Sequence, residues 1–265
     1  MRLILLLSAC TTVAACASDP VAHSGRDLRL SYAMPQADGE LIPYRLYLPA
    51  LRSDRAIPLV VVLHGYRGTS DSVFADAGSL LQREADRNGF AVVAPNGYNG
   101  MADYGANLPL PRVLNRADAP LRTSASAESA LAETDVYNVI DRVMANYRID
   151  RRRVYLMGNS MGMTGVLNLA RTSPERWCAI SASAGPPWPN YPVERLRPLA
   201  GVLFVHGGRD DRAKVSDTEQ LTMRARAAGV DARMKFVPQG THGDAWVRYL
   251  RQTFTFFAKH DCHAR

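Results

Sequence analysis

Residues 153–162 constrain the fold more than any other stretch. Arg153-Val154-Tyr155-Leu156-Met157 reads as a strand, and residues 161–171 read as a helix. Between them stands Gly158-Asn159-Ser160-Met161-Gly162, so the chain must turn from strand to helix within a few residues. The glycines let the two elements approach without a clashing Cβ, and the turn lifts the Ser160 hydroxyl above the sheet edge. The N-terminus of the following helix then lies beneath any negative charge that develops beside that hydroxyl.

The flanking sequence places this unit in an α/β domain. Residues 28–33 and 44–48 are short alternating runs, and Asp38-Gly39 between them is a hairpin signal. Continuous apolar runs at 58–63 and 90–95 predict strands buried on both faces. Residues 71–87 carry helical spacing. In residues 133–147, Val136, Val139, Ile140, Val143 and Met144 form one stripe. Strands at 178–183, 202–206 and 232–237 and helices at 216–228 and 244–259 complete the order. The expectation is eight strands, the first two antiparallel, in a mostly parallel sheet with helices on both faces. Residues 27–265 form one domain in this reading. It is interrupted by an insertion at 97–132, rich in glycine and proline and without a clear period, as in a lid or binding loop.

The N-terminus reads as an export signal. Met1-Arg2 is a short positive start, Leu3 to Leu7 begins an apolar segment, and small residues follow up to Cys16. Both Cys10 and Cys16 follow small residues, as in bacterial lipoprotein signals. Cys16 is favoured because Cys10 leaves a very short signal. Residues 1–15 are then the signal peptide and 16–26 a tether. The protein is expected to be exported, either anchored by an N-terminal lipid in the periplasm or outer membrane, or secreted. In an oxidising compartment Cys178 and Cys262 can pair, and the order of elements brings them to one edge of the sheet; two separate thiols are the other reading. The tail His260-Asp261-Cys262-His263 lacks a second half to close a tetrahedral metal site, so no metal is expected, and no cofactor. The net charge is +7, yet the arginines and three lysines are scattered. No basic stripe or recognition motif points to nucleic acid.

A neutral serine needs a base, and the base an orienting acid. His242 lies in Gly240-Thr241-His242-Gly243, just beyond the last strand, and is the candidate base. Asp210 and Asp211 follow the strand 202–206; only one can face the imidazole, and loop position favours Asp210. His64 and His206 end strands and are expected to brace loops. Leu63-His64-Gly65-Tyr66-Arg67-Gly68 would aim backbone N–H groups at an oxyanion, so the amides of Tyr66 and Met161 are the candidate donors. Trp188, Tyr98 and Tyr104 lie on candidate pocket loops and could form an aromatic wall, or simply anchor those loops.

Six segments recur in order: Leu63-His64-Gly65-Tyr66, Ala94-Pro95-Asn96-Gly97, Asp150-Arg151-Arg152-Arg153-Val154-Tyr155, Gly158-Asn159-Ser160-Met161-Gly162, His206-Gly207-Gly208-Arg209-Asp210 and Thr241-His242-Gly243. With them the chain resembles the α/β-hydrolase esterases, in the group of polyhydroxybutyrate depolymerase-like and feruloyl or acetylxylan esterases. The resemblance implies an α/β-hydrolase fold, the acid at Asp210, and a serine carboxylesterase acting on a small-molecule ester. It favours small or oligomeric esters over crystalline polymer, and an aromatic wall of Trp188, Tyr98 and Tyr104 would suit an aryl or sugar-linked ester. Asp211-Arg212-Ala213-Lys214 departs from the Pro-rich continuation common in the group. A serine peptidase or acyltransferase would use the same three residues, and a non-catalytic envelope binding protein would not need them.

Overall fold

The computed structural model describes residues 25–50, 55–108, 126–185, 188 and 190–262. The signal and nearly all of the tether, Cys10 and Cys16 included, lie outside the described residues, as do residues 109–125 of the insertion. In chain order the elements are β1 (Arg26–Met34), β2 (Glu40–Leu48), β3 (Ile57–Leu63), α1 (Ser70–Ala77), α2 (Leu80–Asn88) and β4 (Ala91–Pro95). They continue with α3 (Ser126–Asn146), β5 (Ile149–Asn159), α4 (Met161–Thr172), β6 (Ala179–Ser183), β7 (Gly201–Arg209) and α5 (Val215–Ala227). The last are β8 (Ala232–Thr241), α6 (Ala245–Arg248) and α7 (Leu250–Lys259).

The strands form one eight-stranded sheet in the order β1-β2-β4-β3-β5-β6-β7-β8. β1 pairs antiparallel with β2, and β2 with β4; every other pairing is parallel. This is the mostly parallel α/β-hydrolase architecture. The run in β3 is apolar throughout because successive side chains leave opposite faces of the sheet. Leu59, Val61 and Leu63 join the layer of α3, α4 and α5 through Val136, Val166 and Leu221. Val60 and Val62 join the layer of α1, α2 and α7 through Val73, Leu81 and Phe254. Each buried side chain of this size contributes about 1.5–3 kcal/mol relative to exposure.

Two expected helices are each broken in two. Residues 71–87 divide at Gly78, whose N–H closes α1 onto the Ala75 carbonyl, and 244–259 divides at Tyr249. Helical spacing survives across both breaks, so the sequence pattern alone reads through them. β5 starts earlier than the run 153–157, with Ile149 paired to Ile57. Among the described residues no helix is long and apolar enough to cross a membrane.

Cys178, at the entrance to β6, and Cys262, beyond α7, form a disulfide with Cα atoms 5.8 Å apart. It spans 84 residues of sequence and encloses β6, β7, β8 and their helices. The Cys262 sulfur is therefore not available as a thiolate metal ligand. A loop of this length loses much of its unfolded-state entropy on closure. Reduction, or Cys178→Ser with Cys262→Ser, is expected to cost about 2–5 kcal/mol and to lower Tm by roughly 4–20 °C in thermal denaturation with and without reductant.

Candidate active site

The turn at Ser160 is held from both sides. Gly158 pairs with Leu63 of β3 and with Ala182 of β6, and the Ser160 N–H donates to the Ser183 carbonyl at 2.9 Å. Ser160 sits at φ 59° and ψ −121°, a region that costs a non-glycine residue about 1–3 kcal/mol. Helix α4 begins at the next residue. A Cβ at Gly162 would strike the carbonyl oxygens of Leu63 and His64, and one at Gly158 would strike the backbone of Gly162. Both glycines of the motif are thus required by close backbone approach. The Met161 N–H is the first of α4 and has no intrahelical acceptor.

His242 follows β8 directly. Asn159, the residue before the serine, donates its Nδ2–H to the His242 carbonyl at 3.1 Å, which ties the histidine loop to the serine turn. The His242 ring lies between two partners. Nε2 is 2.8 Å from the Ser160 hydroxyl, and Nδ1 is 3.0 Å from each carboxylate oxygen of Asp210. An ionised carboxylate only accepts, so the proton sits on Nδ1, and Nε2 is free to accept from Ser160. Serine, histidine and aspartate are brought together as one hydrogen-bonded chain.

The choice between the adjacent aspartates is decided by direction. The Asp210 side chain is fully buried and accepts the N–H groups of Arg212 and Ala213 at 2.9 Å each. The Asp211 side chain is 83% exposed and lies 3.9 Å from Arg212. Burial works against the charge on Asp210, but the hydrogen bonds from His242, Ala213 and Arg212 outweigh it and hold the carboxyl below its ordinary range. Buried His206 braces the same loop. Its Nδ1 accepts from the Thr218 hydroxyl at 2.7 Å, and its Nε2 donates to the Ala213 carbonyl at 3.1 Å.

The loop after β3 is clamped by a second histidine. His64 is buried, with Nδ1 2.8 Å from the Gly65 carbonyl and Nε2 2.8 Å from the Asn96 carbonyl. Burial pulls its pKa down against the pull of those two carbonyls. The Arg67 N–H donates to the Gly100 carbonyl at 2.5 Å, whereas the Tyr66 N–H makes no hydrogen bond among the described residues. The loop after β4 is anchored in turn by Asp135 of α3. This buried carboxylate accepts from Gly97 N–H at 2.7 Å, Tyr98 N–H at 3.3 Å and the Tyr32 hydroxyl at 2.7 Å. Burial raises its pKa despite these bonds. The sequence signal for Asp135 is an aspartate beside Val136 and Val139 on the apolar stripe of its helix.

A cavity of about 230 Å³ opens at Ser160 and His242. Its walls include Val62, Val73, Asp76, Arg212 and Trp246, together with Gly65 and Tyr66 of the clamped loop. None of the three aromatic residues expected to line the pocket does so. Tyr104 is fully buried: its ring packs on His64, with centroids 5.5 Å apart, and its hydroxyl donates to the His64 carbonyl at 3.3 Å. Tyr98 turns beside Glu40 of β2, and Trp188 packs edge-on against Tyr191 at 5.3 Å. These are loop anchors. The aromatic residues that do line it are Tyr66, on the loop after β3, and Trp246, four residues past the histidine at the start of α6.

A buried serine–histidine–aspartate chain at the strand ends of this sheet defines the serine-hydrolase class of α/β fold. The family model named Esterase, described as "Putative esterase", matches residues 36–257, and the chain belongs to that family. The chain is 33% identical over 129 residues to feruloyl esterase B of Neurospora crassa, covering 48% of this chain and 38% of that protein. It is 26% identical over 155 residues to the S-formylglutathione hydrolase of Paracoccus denitrificans, covering 56% and 53%. The matched chain thus spans about half the length of these relatives or less. An S-formylglutathione hydrolase from Agrobacterium tumefaciens shares the fold with a TM-score of 0.70 at 17% identity, over 91% of this chain and 97% of that one. A ferulic acid esterase does so with a TM-score of 0.68 at 18% identity, over 89% and 99%.

Because Asp210 is held ionised below the ordinary carboxylate range, it stays charged across neutral pH. Its contribution to stability is present above the unfolded-state pKa and is lost as pH falls through the lower folded value. Asp210→Asn keeps the shape but replaces an acceptor-only group. It is expected to lower kcat/KM by about 10³–10⁴-fold on an activated ester, with no recovery in a pH–rate profile between about pH 6 and 9.

Proposed function

We propose that this protein is a serine carboxylesterase that hydrolyses small or oligomeric esters through an acyl-enzyme. The observation that carries the reading is the continuous hydrogen-bond chain from buried Asp210 through His242 to Ser160, opening on a cavity. Ser160 Oγ attacks the ester carbonyl as His242 Nε2 takes its proton. The resulting imidazolium is stabilised by Asp210. The oxyanion meets the unpaired N–H groups of Met161 and Tyr66, each worth about 2.7–4 kcal/mol in the transition state. His242 then gives its proton to the leaving alcohol, and water repeats the sequence to release the acid. The names of the relatives, feruloyl esterase and S-formylglutathione hydrolase, support an ester of a small organic acid.

We further propose that residues 1–15 direct export and that Cys16 carries a lipid, attaching the enzyme to the periplasmic face of a membrane. The positive start and apolar run support this, as does the Cys178–Cys262 disulfide, which suits an oxidising compartment.

A fluorophosphonate probe is expected to label the purified wild type, which also turns over p-nitrophenyl acetate. Ser160→Ala should abolish labelling and lower turnover by about 10⁴-fold or more. A folded wild type that neither labels nor turns over would leave the chain a binding protein. Expressed with its own N-terminus in a bacterial host, the protein should incorporate radiolabelled palmitate and fractionate with membranes, and Cys16→Ala should lose both. Retention in Cys16→Ala with loss in Cys10→Ala would move the lipid to Cys10.

A further inference from the structure

The two ends of the sheet carry different charge. Strands β3 to β8 run parallel, and Ser160, Asp210 and His242 all follow strand exits. The strands enter at the opposite end, and β1 begins there too: Arg26 pairs with Leu48, beside Tyr47, which pairs with Val92 near the start of β4. At this entry end β5 bulges. Ile149 pairs with Ile57 and Val154 with Leu59, so the four residues from Asp150 to Arg153 stand against a single residue of β3. The Asp150 side chain is mostly covered, and it accepts the Arg152 N–H at 3.0 Å and the Arg153 Nε–H at 2.8 Å. Arg148, Arg151 and Arg152 are exposed. Residues 142–153 hold five arginines against one acid, Asp150.

The same end gathers further exposed cations. Arg26 opens β1, Arg176 precedes β6, and Lys259 closes α7 next to His260, whose carbonyl accepts from the Tyr155 hydroxyl of β5. Asp27 is taken by Arg45 at 2.7 Å and Asp231 by Arg233 at 3.0 Å. Asp141, Glu175 and Asp261 are the exposed acids left against Arg26, Arg148, Arg151, Arg152, Arg176 and Lys259. At the active end the signs are mixed, with Asp76 and Asp211 exposed beside Arg67 and Arg212.

Two observations say what this basic end meets. The chain outside the described residues joins β1 at Arg26, within the basic end itself. Ten residues separate Arg26 from Cys16, a reach of at most about 33–36 Å. A group fixed at Cys16 therefore holds this end of the sheet near it and not the active end. The basic end also offers nothing for bases to stack on. The exposed aromatic side chain among the described residues is Phe236, which pairs in register with His206 toward the active end. Single-stranded nucleic acid is held by stacking on aromatic rings, whereas anionic lipid headgroups need only clustered cations.

We propose that the strand-entry end is a membrane-docking surface, which binds anionic phospholipid headgroups through its exposed arginines and turns the Ser160 cavity away from the bilayer. The proposal builds on the N-terminal attachment proposed above and adds a second, electrostatic contact. A single acyl chain holds a protein only marginally, and a basic patch is the kind of second signal that makes anchoring stable.

The test uses the mature chain, residues 17–265, exported behind a cleaved signal so that the disulfide forms and no lipid is attached. It keeps every described element. Sedimentation with vesicles of phosphatidylcholine alone, or with about 30% phosphatidylglycerol, measures the surface by itself. At low salt the chain should partition onto the anionic vesicles at least about tenfold more strongly than onto neutral ones, and about 0.5 M salt should release it. Arg148→Glu with Arg151→Glu should weaken that binding by about 25-fold or more, at about fivefold for each cation lost. Turnover of p-nitrophenyl acetate should stay within about twofold, because both positions lie at the far end of the sheet. Lys214→Glu with Lys235→Glu changes the net charge equally and should keep most of the binding. Equal losses in the two double variants would make the effect one of net charge and overturn the proposal. Equal binding to neutral and anionic vesicles would overturn it, as would binding to a DNA strand with none to the vesicles. The wild-type comparisons across lipid and salt decide the matter even where a variant fails to fold. Absence of palmitate on the native protein sinks the Cys16 anchor alone, whereas absence of vesicle binding sinks the docking surface alone.

Discussion

The site depends on a single strained turn. Ser160 is held at φ 59° between a strand paired on both sides and a helix that starts at the next residue. The surrounding sheet has to supply the energy of that conformation, which it does through the Ser183 carbonyl and through backbone contacts that leave no room for a Cβ at Gly158 or Gly162. Relaxation of the turn would move the hydroxyl off His242 and redirect the Met161 N–H together. The strain of the turn and the placement of the Ser160 hydroxyl and the Met161 N–H are thus one structural fact.

The electrostatics are arranged around the same point. A buried carboxylate is costly unless it is hydrogen-bonded, and Asp210 receives two backbone N–H groups as well as the histidine. Its loop is fixed by His206, the loop bearing Tyr66 by His64, and the histidine loop by Asn159. His64 and His206 are therefore scaffold: His64 lies between the Gly65 and Asn96 carbonyls, and His206 between the Thr218 hydroxyl and the Ala213 carbonyl. Asp135 extends the scaffold one layer further out, to the loop whose Asn96 carbonyl takes His64. Positioning of this kind lets a reacting chain act without reorganising at the moment of reaction.

Much of this was legible in the chain. The β3 run announced a strand buried on both faces, and Gly158 to Gly162 announced the turn, because each is a local pattern with a local physical cause. His242 was readable from its place after the last strand, and the acid was narrowed to the adjacent Asp210 and Asp211, with loop position favouring Asp210. The pocket was not. Tyr98, Tyr104 and Trp188 lie on loops at the active edge, as expected, yet all three turn away to pack on Glu40, His64 and Tyr191. Trp246 falls within the expected helix 244–259, where nothing local marks it, and it is a wall of the cavity.

The sequence by itself determined the order of elements, the parallel sheet and the identity of the serine and histidine. These follow from periodicity and from residue types that only one local geometry accommodates. Tertiary structure alone decided that Asp210 and not Asp211 faces the imidazole, that Cys178 meets Cys262, and which aromatic side chains border the cavity. Each of those is a question of where a side chain points once distant strands and helices have been packed. Direction of that kind is set by contacts between residues remote in sequence, which no local pattern encodes.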